Sequence, residues 1–177
     1  MIGLAIPGRA GLRLRQLVLD YNGTLAEDGV LVPGVGDAIE RLSGALAIHV
    51  VTADTFGSAA RQLAQLPCSL DVLEPGAQDE AKLRFVEQLG AGRTVAVGNG
   101  RNDALMLRAA AVGIAVMLRE GAAWRAIEHA DIVCSDILHA LELLTHPRRM
   151  VATLRSRSPP SGPAIRARAL SRAAGCP

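Results

Sequence analysis

Two carboxylates, an ammonium and a hydroxyl stand out in this 177-residue chain, because each falls at the end of a short β-like run or near the head of a helix-length stretch. Asp20 opens the run Asp20-Tyr21-Asn22-Gly23-Thr24, and Thr52 begins Thr52-Ala53-Asp54. Lys82 lies early in an amphipathic stretch, and Asp103 closes Gly98-Asn99-Gly100-Arg101-Asn102-Asp103. A carboxylate beside glycine-rich backbone can attack phosphorus and carry the phosphoryl group as an aspartyl phosphate. Carboxylate oxygens next to an amide carbonyl suit Mg2+, a hard cation that keeps waters and a substrate phosphate in its octahedral shell. The Lys82 ammonium, the Thr52 hydroxyl and the backbone N–H groups near Gly23 would neutralise the equatorial oxygens of a phosphoryl group. Lys82 is also the only lysine among 19 basic residues. Arginine stands at all the others, and a compact ammonium is not interchangeable with a guanidinium at a point-charge site.

These groups need a scaffold that brings distant sequence to one place. Short apolar runs at roughly 14–19, 46–51, 71–73, 94–97, 113–116 and 132–133 alternate with helix-length amphipathic stretches near 35–42, 58–65, 79–89, 102–110, 122–128 and 137–144. That alternation predicts an α/β fold, a doubly wound, Rossmann-like parallel sheet with helices on both faces. Ligands of such sheets sit outside the carboxyl ends of the strands, where Asp20, Thr52 and the 98–103 segment all fall. Residues 21–33 carry Asn-Gly and Asp-Gly turn signals and predict a β-hairpin flap after the first strand.

Composition excludes several classes. The longest apolar stretch, Ala109 to Leu118, is bounded by Arg108 and Arg119 and is about half of what a bilayer span needs. The amino-terminal apolar run lacks a basic flank and a cleavage pattern, so secretion is not expected. Cys68, Cys134 and Cys176 are far apart and in no metal or disulfide spacing, which predicts a reducing, cytoplasmic setting. All 17 acidic residues precede residue 147, and everything after it is Arg-, Ser- and Pro-rich without an acid. We therefore expect a catalytic body over 1–146 and a basic, disordered tail over 147–177. The acidic body and the scarcity of aromatic residues argue against a nucleic-acid partner.

The four segments, in their order, resemble the four motifs of the haloacid-dehalogenase-like (HAD) hydrolase superfamily. The likeness is strongest to the phosphorylation domain of P-type ATPases: Thr52-Ala53-Asp54 is similar to their Thr-Gly-Asp motif, and Gly98 to Asp103 to their Gly-Asp-Gly-x-Asn-Asp segment. The resemblance implies that Asp20 attacks phosphorus, that Thr52, Ala53, Gly23 and Lys82 hold the phosphoryl oxygens, and that Asp20, Asn22, Asn99 and Asp103 surround Mg2+. Thr24, Asp54 and Asn102 would support them. Two positions depart from the family pattern. Asn22 stands where most phosphatases of the family have an Asp acting as general acid and base, which implies slow dephosphorylation. Asn99 stands where an Asp usually serves the metal, which removes one charge from the site. Neither cap-insertion position of the superfamily holds enough chain for a cap domain. The resemblance thus implies an open-sited, capless phosphohydrolase acting on a small phosphorylated substrate or a phosphoprotein, with a homo-oligomer as one way to cover the site. The alternative is a weakly catalytic or non-catalytic phosphate- or metal-responsive regulatory protein.

Overall fold

The computed structural model describes residues 1–8, 10–53, 57–74 and 76–155. Hairpin β1 (Ile2–Leu4) and β2 (Leu12–Leu14) leads into β3 (Gln16–Asp20). Hairpin β4 (Ala26–Glu27) and β5 (Val30–Leu31) follows, then α1 (Val35–Ser43), β6 (Ala47–Thr52), α2 (Ser58–Leu63), β7 (Ser69–Val72) and α3 (Gln78–Leu89). The chain continues through β8 (Thr94–Gly98), α4 (Ala104–Ala109), β9 (Val112–Val116), α5 (Trp124–His129), β10 (Ile132–Cys134), α6 (Ile137–Thr145) and α7 (Pro147–Leu154).

Six strands form one parallel sheet in the order β10-β9-β8-β3-β6-β7. Successive side chains along a strand point to opposite faces, and the two cores separate accordingly. Leu17 and Leu19 of β3, Val95 and Val97 of β8, and Ile114 and Val116 of β9 face a large cluster built with α1, α6 and α7. Val18, Ala96 and Ala115 face the other way, against Val86 of α3, Met106 and Leu107 of α4 and Ala126 of α5. This second face uses small residues, so its helices pack close. Gly113 is an extreme case, since a Cβ there would stand 2.3 Å from the Leu107 carbonyl oxygen. Both faces of the sheet are thus covered, as the near-continuous apolar strands predict.

Strand β3 lies between β6 and β8, with Asp20 in register with Val51 and Leu19 with Val97. From β3 the chain first winds one way, to β6 and β7, and then the other, to β8, β9 and β10. The carboxyl end of β3 is therefore the topological switch point, where the splayed connections leave a crevice. Among the described residues, no cap domain interrupts the connections on either side. The β4–β5 hairpin is anchored to α2 through Gln62, whose Nε2 donates to the Gly29 carbonyl at 2.6 Å and whose Oε1 accepts from Leu31 N–H at 2.8 Å.

Two expectations change. The amino-terminal hairpin was not foreseen, yet Ile2, Leu4 and Ile6 are buried. The body also does not end at residue 146, because Pro147–Leu154 is helical. Pro147 occupies the first turn, where its missing N–H costs nothing. Met150 is fully buried, and Val151 and Leu154 pack on the main core. The arginine-rich average of the segment conceals this apolar face. The rest of the expected tail, from 156 to 177, and with it Cys176, lies outside the described residues.

Candidate active site

Asp20 ends the central strand and is 7% exposed, while Lys82, one turn into α3, is 1% exposed and Asp103 is fully buried. Lys82 Nζ donates at 2.6 Å to Asp20 Oδ1 and at 2.6 Å to Asp103 Oδ1. Asp103 Oδ2 accepts the backbone N–H groups of Asn99 at 3.0 Å and Gly100 at 2.8 Å. Every oxygen of Asp103 is therefore engaged within the protein. Gly98 makes room for this, since a Cβ there would stand 2.5 Å from the Asp103 carboxylate. The geometry assigns Asp103 to fixing Lys82 and the 98–103 loop. These contacts use three of the about four lone-pair directions of the carboxylate, so the metal role expected of Asp103 is compatible with this arrangement.

The other Asp20 oxygen, Oδ2, lies 3.1 Å from Thr24 Oγ1, which is also 3.3 Å from Asn99 Oδ1. Thr24 is fully buried, and its hydroxyl thus collects a carboxylate oxygen and an amide oxygen at one point. The Asn99 amide is oriented by its own donation from Nδ2 to the Gly121 carbonyl at 3.1 Å. Gly23 is forced here by two constraints: its φ is +70°, and a Cβ would stand 2.3 Å from Asn99 Nδ2. Its N–H, however, donates to the Ala26 carbonyl at 2.8 Å. Gly23 thus shapes the loop and lets Asn99 approach.

Two negative charges and one positive charge share this desolvated centre. Burial raises the Asp20 carboxyl from 3.8 to about 7, assisted by the Asp103 charge and opposed by Lys82. Burial alone would lower Lys82, but the attraction of Asp20 and Asp103 outweighs it and holds the ammonium above its usual range. Lys82 is thus a fixed cation at neutral pH, and only ionisation of Asp20 leaves the centre with an uncompensated negative charge.

The crevice above this centre has a volume of about 280 Å³ and is lined by Asp20, Asn22, Thr52, Ala53, Gln78, Lys82, Asn99, Gly100, Asn102 and Glu120. The structure therefore gathers into one opening most of the residues singled out from the sequence. Thr52 is buried at the end of β6, and Asn22 is exposed beside the hairpin. Asn102 donates from Nδ2 to Gln78 Oε1 at 3.1 Å, tying the loop to the first turn of α3. Asp54 lies outside the described residues. Two lining residues escaped the sequence reading. Gln78 is one helical turn before Lys82, so the i, i+4 spacing would have placed it on the same face. Glu120 follows the end of β9, another strand terminus on the ligand side of the sheet.

A carboxylate at the end of the central strand, a lysine bridging it to a second carboxylate, and helices on both faces of a parallel sheet without a cap among the described residues define a HAD-like fold. The 3-deoxy-D-manno-octulosonate 8-phosphate phosphatase of Moraxella catarrhalis, solved with magnesium, phosphate and the sugar acid, has the same fold. Its TM-score is 0.62 over 80% of this chain and 94% of that one, at 14% sequence identity. The chain belongs to one family with an uncharacterized protein of Methanocaldococcus jannaschii, to which it is 42% identical over 84 residues, 45% of this chain and 90% of that protein. It is also 36% identical over 113 residues to a cadmium/zinc-transporting ATPase of Oryza sativa subsp. japonica, a match covering 62% of this chain and 11% of the ATPase. No family model matches the chain. Among the described residues, no helix is long and apolar enough to cross a membrane.

Proposed function

We propose that this protein is a Mg2+-dependent phosphohydrolase that works through an aspartyl phosphate on Asp20. The observation that carries the reading is the buried Asp20–Lys82–Asp103 centre, with both Lys82 contacts at 2.6 Å, opening into a polar crevice at the switch point of the sheet. In the first half-reaction an Asp20 carboxylate oxygen forms a bond to phosphorus as the bond to the leaving-group oxygen breaks. In the second, water displaces Asp20 and hydrogen phosphate leaves. Lys82, held by Asp103, offsets the charge on the equatorial oxygens throughout, and the Thr52 hydroxyl donates to them. Asp103 acts as the positioning residue that keeps the ammonium under the phosphoryl group.

The donor set fits a divalent cation. Asp20 Oδ2 and Asn99 Oδ1 converge on the Thr24 hydroxyl, both are hard oxygens, and ionised Asp20 gives the centre an uncompensated negative charge that a cation would offset. Asp20 and Asn99 would hold Mg2+, with Asn22 beside them, and the ion would supply charge neutralisation for the phosphoryl oxygens. With an amide at residue 99 in place of a carboxylate, the protein contributes less charge to the ion. Mg2+ affinity should consequently depend on bound phosphate. Substrates would be small phosphorylated molecules or phosphoproteins able to reach an open crevice, in a soluble cytoplasmic setting.

The test is hydrolysis of p-nitrophenyl phosphate and acid-quenched capture of the phosphoenzyme, with Mg2+ and with EDTA, on the wild type and on Asp20→Asn. Phosphoenzyme and turnover should require Mg2+ and vanish in the variant; equal activity in Asp20→Asn would overturn the reading. A second reading, a phosphate- or metal-responsive binding protein with little turnover, is favoured by the amides at residues 22 and 99. It predicts Mg2+ and phosphate binding without any phosphoenzyme.

A further inference from the structure

We infer that Glu120 is the general base of the dephosphorylation step, taking over the proton chemistry that Asn22 cannot perform; the inference rests on the phosphohydrolase reading of the same crevice. Proton transfer needs an ionisable group at the mouth of the site. Among the described residues that line the crevice, three ionise: Asp20, Lys82 and Glu120. Asp20 carries the phosphoryl group in this step. Lys82 is clamped at 2.6 Å between two carboxylates, which hold it protonated. Glu120 remains.

Its placement is specific. The 118–121 turn is docked on Asn99: Asn99 Nδ2 donates to the Gly121 carbonyl at 3.1 Å, and Ala123 N–H donates to the Asn99 carbonyl at 2.8 Å. From the other side the β4–β5 hairpin clasps the same turn reciprocally. Asp28 N–H donates to Glu120 Oε1 at 3.2 Å, and Arg119 N–H donates to Glu27 Oε1 at 3.2 Å. Asp28 adopts a φ of +50°, in the left-handed region. One carboxylate oxygen of Glu120 is thereby fixed, and Oε2 has no hydrogen-bond partner among the described residues. A strand-end turn and a hairpin that share no sequence neighbourhood thus hold one carboxylate at the rim of the site.

In the step itself the water oxygen forms its bond to phosphorus and the bond from phosphorus to the Asp20 carboxylate breaks. The electron pair returns to Asp20, the water proton passes to Glu120, and hydrogen phosphate leaves.

The experiment uses the full chain with Mg2+ and p-nitrophenyl phosphate, comparing wild type, Glu120→Gln and Glu120→Ala. Both variants should give a normal burst of p-nitrophenolate and then accumulate phosphoenzyme, whose decay should be slower by about 10²–10⁴-fold. Added formate should restore decay in Glu120→Ala, a response that lost packing or lost metal would not show. Phosphoenzyme decaying at the wild-type rate in both variants overturns the inference and leaves the phosphohydrolase reading standing. So does loss of the burst, which would make Glu120 a ligand of metal or substrate, and so does slow decay that formate cannot rescue. Absence of any phosphoenzyme in the wild type overturns both.

Discussion

Replacing Asp20 by Asn should stabilise the metal-free protein at alkaline pH, because it removes a buried charge next to a second carboxylate. The residue is 7% exposed, and its carboxyl faces a second buried carboxylate and is raised from 3.8 to about 7. A raised carboxyl binds its proton more tightly in the folded state than in the unfolded one. Folding is therefore unpenalised below about pH 4, loses stability as pH rises from about 4 to 7, and carries the full penalty above that. The gap corresponds to about 4 kcal/mol. The amide in the variant carries no charge, still accepts from Lys82 and still meets the Thr24 hydroxyl, at a loss of roughly 1 kcal/mol in hydrogen bonding. The net gain expected in EDTA at pH 8 is about 2–3 kcal/mol, shrinking to zero or reversing at pH 4. Urea unfolding of both proteins at several pH values, with m-values compared, measures it. Saturating Mg2+ with phosphate should close the gap by stabilising only the wild type. A variant less stable than wild type at pH 8, or an advantage that grows as pH falls, would refute the assignment of uncompensated charge to this centre.

Other outcomes can be checked alongside. Asn22→Asp places a second carboxylate at an exposed position on the crevice wall, and with Glu120 already taking the water proton it should change wild-type phosphoenzyme decay little in quenched-flow measurements. In the Glu120→Ala background the same substitution should restore decay by on the order of 10²–10⁴-fold, since the two groups serve the same proton. Met150→Ala empties a fully buried site under α7 and should cost about 2–4 kcal/mol in chemical denaturation, whereas a truly disordered segment would show no change.

Much of this molecule was legible in the amino-acid order. The strand-and-helix alternation placed all six strands of the parallel sheet, and the polar residues at their ends named the crevice. Chain-local signals suffice there, because apolar periodicity reports burial and strand termini report where ligands sit. The motif order also singled out Asp20, Thr52, Lys82 and Asp103 and the loop glycines around them. Roles within the site were another matter. Asp103 clamps Lys82 and two backbone N–H groups of its own loop, and the Gly23 N–H serves Ala26, which the motif spacing does not reveal. Helix α7 was hidden by the arginines that surround its apolar face, and Glu120 carried no motif at all. The sequence by itself determined which chemical groups are present and which strand each one ends. Only the tertiary structure decided which lone pairs and protons are already spoken for, how far burial raises Asp20, and which carboxylate the hairpin holds at the rim. Those depend on contacts between residues many positions apart, and no local pattern along the chain encodes them.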